Sequence, residues 1–192
     1  MANSGVFTID DINFLKDNQQ YPSLGQLELI QTQVASSVTY LDFMNIKEDI
    51  YNVHFATFSD IKWGTADTFK CRLSDDGGVT FESTNNYYSA QQYGSTNGSF
   101  GGSTRNPTSE FDRILQNQAN LSHNGYVYLY NLGDPMKYSF MTQQTMNWSS
   151  GHIQFKFGSQ TYNVASRINA IRFYTNTHAW TGSISLYGIR FS

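Results

Sequence analysis

Apolar and polar residues alternate along most of this chain. Near its end, Ile171 and Phe173 fall on one side of a short run, with Arg172 and Tyr174 on the other. Ile184 and Leu186 then alternate with Ser183, Ser185 and Tyr187. A period of two marks a strand with one face on a core. The two runs flank a polar stretch ending in Thr181-Gly182, which predicts a terminal antiparallel hairpin. Its core residues would be Ile171, Phe173, Ile184 and Leu186, with Gly188 relieving a bend or bulge, and the end of the chain tied down as a strand.

The same period recurs upstream. Leu27 to Gln33 and Ser37 to Phe43 read as two strands joined by Val34-Ala-Ser36. Tyr51, Val53 and Phe55 alternate with Asn52, His54 and Ala56, and Phe69, Cys71 and Leu73 point inward opposite Lys70 and Arg72. Asp75-Asp-Gly-Gly78 is a hairpin signal leading into Val79-Thr-Phe81, because glycine supplies the positive φ such turns need. A helix capped by Ser109 would have only Ile114 and Leu115 as its apolar stripe, so 110–119 reads as strand. Tyr126, Tyr128 and Tyr130 alternate with Val127 and Leu129. Another strand spans Tyr138 to Gln143, and Ile153, Phe155 and Phe157 mark one more, opposite His152, Gln154 and Lys156. About eight to ten short strands with turn signals between them predict an antiparallel sandwich or barrel.

Two stretches break the pattern. Thr8-Ile-Asp-Asp11 resembles a helix cap and precedes Ile12, Phe14 and Leu15, predicting one or two helical turns stopped by Tyr21-Pro22 and Gly25. Two readings of residues 1–26 stand: a short helix closing one end of the sandwich, or an arm reaching a neighbouring subunit. Residues 27–192 would form a single domain. Within it, about 94–109 is nearly all Asn, Ser, Thr and Gly and reads as a long polar loop, the kind usually functional or ordered by a partner.

Composition narrows the classes. At 192 residues one core is the default, and only 14% of residues are charged, against about 25% in an ordinary soluble protein. Aromatics reach 16%. Charge depletion with aromatic enrichment is also the signature of an interface core, so much of the surface is expected to face other subunits. A net charge of −3 leaves no basic footprint for nucleic acid, and no apolar run approaches the roughly 20 residues of a membrane span. The opening Met-Ala-Asn-Ser-Gly-Val lacks the regions of a signal peptide, and a lone Cys71 excludes an internal disulfide framework; synthesis in a reducing cytoplasm is expected.

Catalytic patterns find little support. His54, His123, His152 and His178 stand far apart without metal-ligand spacing, so no metal or cofactor is expected. Cys71 reads as a buried small hydrophobe, and Asp75-Asp76 as a plain turn more readily than a calcium loop. There is no Gly-x-Ser-x-Gly elbow, and Gly101-Gly-Ser-Thr-Arg105 lacks the ending of a phosphate loop. Exposed aromatics remain: Tyr87, Tyr88, Tyr93 and Trp148 are candidates for stacking on a glycan. The tyrosines at 126, 128 and 130 read instead as a sheet face covered by loops.

Several phrases together carry a resemblance: Gly25-Gln-Leu-Glu-Leu-Ile-Gln-Thr-Gln33, Tyr51-Asn-Val-His-Phe55, Arg72-Leu-Ser-Asp-Asp-Gly-Gly-Val-Thr-Phe81 before Tyr87-Tyr88 and, above all, Ile171-Arg-Phe-Tyr174 followed by Thr181-Gly-Ser-Ile-Ser-Leu-Tyr-Gly-Ile189. From about residue 25 onward the chain resembles the small jelly-roll virion proteins of tailed bacteriophages, especially those of marine bacteria and cyanobacteria. The resemblance implies a jelly-roll β-sandwich, a non-enzymatic structural role, and assembly in the bacterial cytoplasm onto the virion. A capsid decoration or cement protein is the first expectation. Its partners would be the major capsid protein or other virion proteins, with homo-oligomers in the particle. Ile9, Ile12, Phe14, Leu15 and Tyr21 of the arm, and Phe100 and Arg105 of the polar loop, are the candidate contact residues. The alternative is a tail or fibre module binding a host receptor or glycan. A third reading, a depolymerase-like enzyme, has no motif behind it.

Overall fold

The period-two runs become two antiparallel sheets packed as a sandwich, preceded by one short helix. The computed structural model describes residues 8–17, 27–117, 119–149 and 151–189, leaving aside the side chains of Ile12, Lys16, Asp17, Asn117 and Ser149. In chain order the elements are α1 (Ile9–Asp17), β1 (Leu27–Val38), β2 (Tyr40–Met44), β3 (Val53–Trp63), β4 (Asp67–Ser74), β5 (Tyr87–Ser95), β6 (Phe100–Thr108), β7 (Phe111–Asn117), β8 (His123–Tyr130), β9 (Ser139–Ser149), β10 (His152–Tyr162), β11 (Ala170–Thr175) and β12 (Trp180–Ile189). The larger sheet runs β1-β12-β3-β8-β9-β10-β5-β6 and the smaller β2-β11-β4-β7.

Four successive strand pairs, β1/β2, β3/β4, β7/β8 and β11/β12, each split between the sheets. That interleaving makes β1-β12-β3-β8 over β2-β11-β4-β7 an eight-stranded jelly roll. Two inserted hairpins, β5–β6 and β9–β10, then extend the larger sheet beyond the smaller one.

The terminal hairpin predicted from the sequence does not exist. β11 pairs with β2 and β4 in one sheet, and β12 with β1 and β3 in the other. Alternation identifies strands and core faces but says nothing of partners, and the link between these two is a corner of the sandwich. Their core residues are as expected: Ile171, Phe173, Ile184 and Leu186 are fully buried. Likewise β1 runs unbroken through Val34-Ala-Ser36 and β2 crosses to the other sheet, so no hairpin forms there either. Gly188 itself sits in regular register with His54 and Glu28, and the expected bulge falls beside it on β1, between the Leu29–Tyr187 and Gln31–Leu186 pairs. The Tyr51 ring lies where a Gly188 Cβ would be, 2.2 Å from the nearest ring atom. The Asp75–Gly78 turn is present, closed by the Asp76 carboxylate on Thr80 and Ser74, but Val79–Phe81 is not a strand.

The core lies between the jelly-roll sheets. Phe58, Phe69 and Phe173 pack in edge and stacked contacts, with Phe43 and Trp180 against them. Cys71 is buried there, and burial pushes its thiol pKa up, as befits a small hydrophobe. The residues from 94 to 109, expected to be a loop, form instead the turn and edge strand of the β5–β6 hairpin, in register from Gly94 opposite Phe100 to Tyr87 opposite Thr108. Backbone pairing along β5 supplies the order that Ser-, Thr- and Gly-rich side chains do not.

Candidate interaction surface

The two outward faces of the sandwich differ in kind. On the smaller sheet the charges are paired. Arg172 makes a two-pronged ion pair with Asp42, at 2.6 and 2.7 Å, and lies over the Tyr40 and Phe81 rings. Arg72 and Lys70 both reach Glu110 at 3.0 Å, and Tyr174 Oη donates to the same carboxylate at 3.1 Å. Burial works to raise the Glu110 pKa, but the hydrogen bonds from Ser109, Lys70 and Arg72 and the Lys70 charge hold it down at about 2. His178 Nδ1 lies 3.2 Å from Asp67.

The outward face of the larger sheet is nearly without charge. Strand register sorts it into rows. One row reads Leu29, Tyr187, Phe55, Tyr128, Thr142, Ser159, Ala90, Thr104, from β1 across to β6. The next reads Thr32, Ser185, Thr57, Tyr126, Gln144, Phe157, Gln92, Gly102. Beyond it lie Asn124, Met146, Phe155, Gly94 and Phe100, with Trp148 and Ile153 past them. Among the described residues, the charged side chains at outward positions of this sheet are Asp60 and Lys62, paired with each other at the far end of β3.

Strand β10 shows how this face arises. Ile153, Phe155 and Phe157 point outward and are exposed, whereas Gln154, Lys156 and Gln160 are buried. On β3 also, Phe55 faces outward while His54, Ala56 and Phe58 enter the core. Phe55 lies 4.7 Å from Tyr128, 5.5 Å from Tyr126 and 6.0 Å from Tyr187 (ring centroids). The 126–130 tyrosines therefore pack on one another and on Phe55. Gly94 is required where it stands, because a Cβ there would meet the Phe155 ring at 2.2 Å and the Phe100 ring at 2.8 Å. A shallow depression of about 750 Å³ opens on the same face, bounded by Phe157 and floored by Ala90, Gly102, Thr104, Thr142 and Ser159.

The residues singled out from the sequence fall in several places. Thr8 caps α1 through Asp11 as expected, with Ile9 and Phe14 exposed and Leu15 half-buried. Tyr21 and the Ile12 side chain lie outside the described residues. Phe100 is 78% exposed on the charge-poor face and contacts Phe155 edge-on. Arg105 belongs to the opposite face, where it pairs with Asp112 at 3.3 Å and ties β6 to β7.

The four glycan candidates do not assemble. Tyr87 is buried against Phe111 and Tyr162, with its hydroxyl on Leu73 N and Glu82 O, and is closed to any ligand. Tyr93 points inward, its hydroxyl over Gly101. Tyr88 and Trp148 share the outer face but adjoin Thr161 and Ile153, at opposite ends of β10 and about 27 Å apart at strand rise. Met146, Phe155, Phe157 and Phe55 were the residues that sequence reasoning missed. The alternation of Phe155 and Phe157 with Gln154 and Lys156 was visible, but periodicity does not say which side is in.

Among the described residues no group of three or more His, Cys, Asp or Glu could hold a metal ion, and no helix is long and apolar enough to cross a membrane. No protein-family model and no curated protein matches the chain. Among solved structures, an endo-beta-1,4-glucuronan lyase from the fungus Trichoderma reesei shares 9% identity over 87% of this chain and 88% of that chain, at a TM-score of 0.21. That likeness carries no argument about fold or activity.

Proposed function

We propose that this protein is a non-enzymatic structural component of a tailed-phage particle, a capsid decoration or cement protein that acts by protein–protein contact. The observation that carries the reading is the outer face of the larger sheet. It is depleted of charge and rich in Phe and Tyr, the composition of an interface core. The smaller sheet, with its paired charges, has the character of an ordinary solvated surface. The phage setting rests on the sequence resemblance, and the jelly-roll topology is in keeping with it. Tagging the protein in intact particles and imaging them tests the reading: label repeating over the shell is the expected result. Label confined to the tail would transfer the protein to a tail or fibre role, and unlabelled particles would overturn the proposal.

The row of Tyr126, Tyr128 and Tyr130, with Gln144 accepting from Tyr126 Oη at 2.6 Å, favours one other reading, a glycan platform. Retention on a host-polysaccharide column, lost in Tyr126→Ala/Tyr128→Ala, would support it. The wild-type protein passing straight through would dismiss it.

A further inference from the structure

The register of the larger sheet points to what covers its outer face: we infer that it is a second copy of this chain. The inference rests on the reading of that face as a contact surface and names its occupant. Three features of the face lead there.

The first is size. Eight strands spaced about 4.8 Å apart and about 30 Å long present roughly 1000 Å², against about 800 Å² per partner in a standard interface. The second is charge. A face whose outward charges, among the described residues, are one internally paired Asp60–Lys62 couple has little to offer a charged partner and does not repel itself.

The third is shape, and it specifies the arrangement. In the row Leu29, Tyr187, Phe55, Tyr128, Thr142, Ser159, Ala90, Thr104, the large side chains fill one half and the small ones the other. In the neighbouring row the order reverses, with Thr32, Ser185 and Thr57 at one end and Phe157 and Gln92 toward the other. A two-fold axis parallel to the strands and lying between β8 and β9 exchanges the halves of every row. It sets β3 against the other copy's β10, β12 against its β5, and β8 against its β9. Phe55 and Tyr187 then enter the depression floored by Ser159 and Ala90, and Phe157 meets Thr57. Each copy gives its knobs to the other's hollow, as an isologous pair requires. The sheets would stack about 10 Å apart with strands roughly aligned, as in other sheet-on-sheet packings. The smaller sheets lie away from the seam.

Sedimentation equilibrium on the purified full chain is the test. The expected mass is twice 21.8 kDa. Ser159→Phe fills the hollow and should weaken the dimer at least tenfold, with the thermal midpoint of dilute protein unchanged. Phe55→Ser should weaken it as well. The double change Phe55→Ser/Ser159→Phe moves the knob across the seam and should restore the dimer, which only this registration predicts. A monomeric wild type overturns the inference, whether or not it binds particles or polysaccharide. So does a dimer indifferent to Ser159→Phe, or a double variant no better than the worse single one. A monomer that still decorates the shell would leave the proposed function standing. A dimer absent from the particle would do the reverse.

Discussion

Strands β8 and β9 are neighbours in one sheet, yet beyond the Leu129–Met141 pair their inner faces differ in kind. β8 sends Val127 and Leu129 into the sandwich, and β9 sends Gln143, Thr145 and Asn147. The difference lies in what stands opposite. In the jelly roll the inner side chains meet the face of another sheet, whose backbone groups are already paired, so apolar packing is the stable solution. In the extension they meet the free edge of β7, whose unpaired N–H and C=O groups need partners when buried.

The polar layer supplies those partners. Gln160 accepts from Asp112 N at 2.9 Å and donates to Asp112 O at 3.0 Å, while Gln91 donates to the same carbonyl at 2.8 Å. Thr145 donates to Ile114 O, Lys156 to Arg113 O, and Asn147 accepts from Gln116 N. β7 bulges here, with Arg113 at φ 55, which turns successive carbonyls toward the layer. With Gln143, Thr145, Asn147, Gln154, Lys156 and Gln160 committed inward, β9 and β10 put Met146, Trp148, Ile153, Phe155 and Phe157 outside. The charge-poor face and the buried polar layer are thus two sides of one pattern.

This contrast orders the expected effects of substitution. The largest belongs to the jelly-roll core. Phe173→Ala removes a ring packed on Phe43, Phe58 and Phe69, and should cost about 3–5 kcal/mol in chemical denaturation. Next is Gln160→Leu, isosteric enough to fit but leaving Asp112 N and Gln143 Oε1 without their partner, at about 2–3 kcal/mol. If that variant were as stable as wild type, the edge-satisfying role of the layer would be wrong.

Glu110 comes third. Its folded-state pKa of about 2 lies below the ordinary 4.5, so its contribution is present above about pH 4.5 and lost as pH falls toward 2. Glu110→Gln should flatten the acid limb of the stability profile and cost about 1–2 kcal/mol at neutral pH.

Lys156 runs the other way. It is buried, and burial together with the nearby Arg113 charge lowers its pKa from 10.5 to about 7. The unfolded chain therefore holds more protons between those values, and stability should rise as pH goes from about 7 to 10.5. Lys156→Met should abolish that rise and change stability at pH 7 by about 1 kcal/mol or less, in the stabilising direction. The smallest effect is expected outside: Phe157→Ala should move the unfolding free energy of the monomer by less than about 0.5 kcal/mol while weakening self-association.

Much of this was legible in the chain itself. Alternation located nearly every strand, placed Cys71, Ile171, Phe173, Ile184 and Leu186 in the core, and marked the Thr8 helix cap. Those properties depend on neighbours within a few residues, and local periodicity reports them. Low charge and high aromatic content also pointed to an exposed aromatic surface, and the outer face of the larger sheet is one. Which residues make up that face was not legible. Phe100 was chosen as part of a loop and turned out to stand on a sheet face, while Arg105 proved to be a tie to β7. Tyr87, a stacking candidate, is core. Which face of β10 points inward depends on β7 lying across it, through contacts that span 43 and 48 residues of chain at Lys156–Arg113 and Gln160–Asp112. Whether β11 and β12 form a hairpin or a corner depends on β2 and β1, far earlier still. A period of two divides a strand into two sides, and only the strand lying opposite decides which of them is the inside.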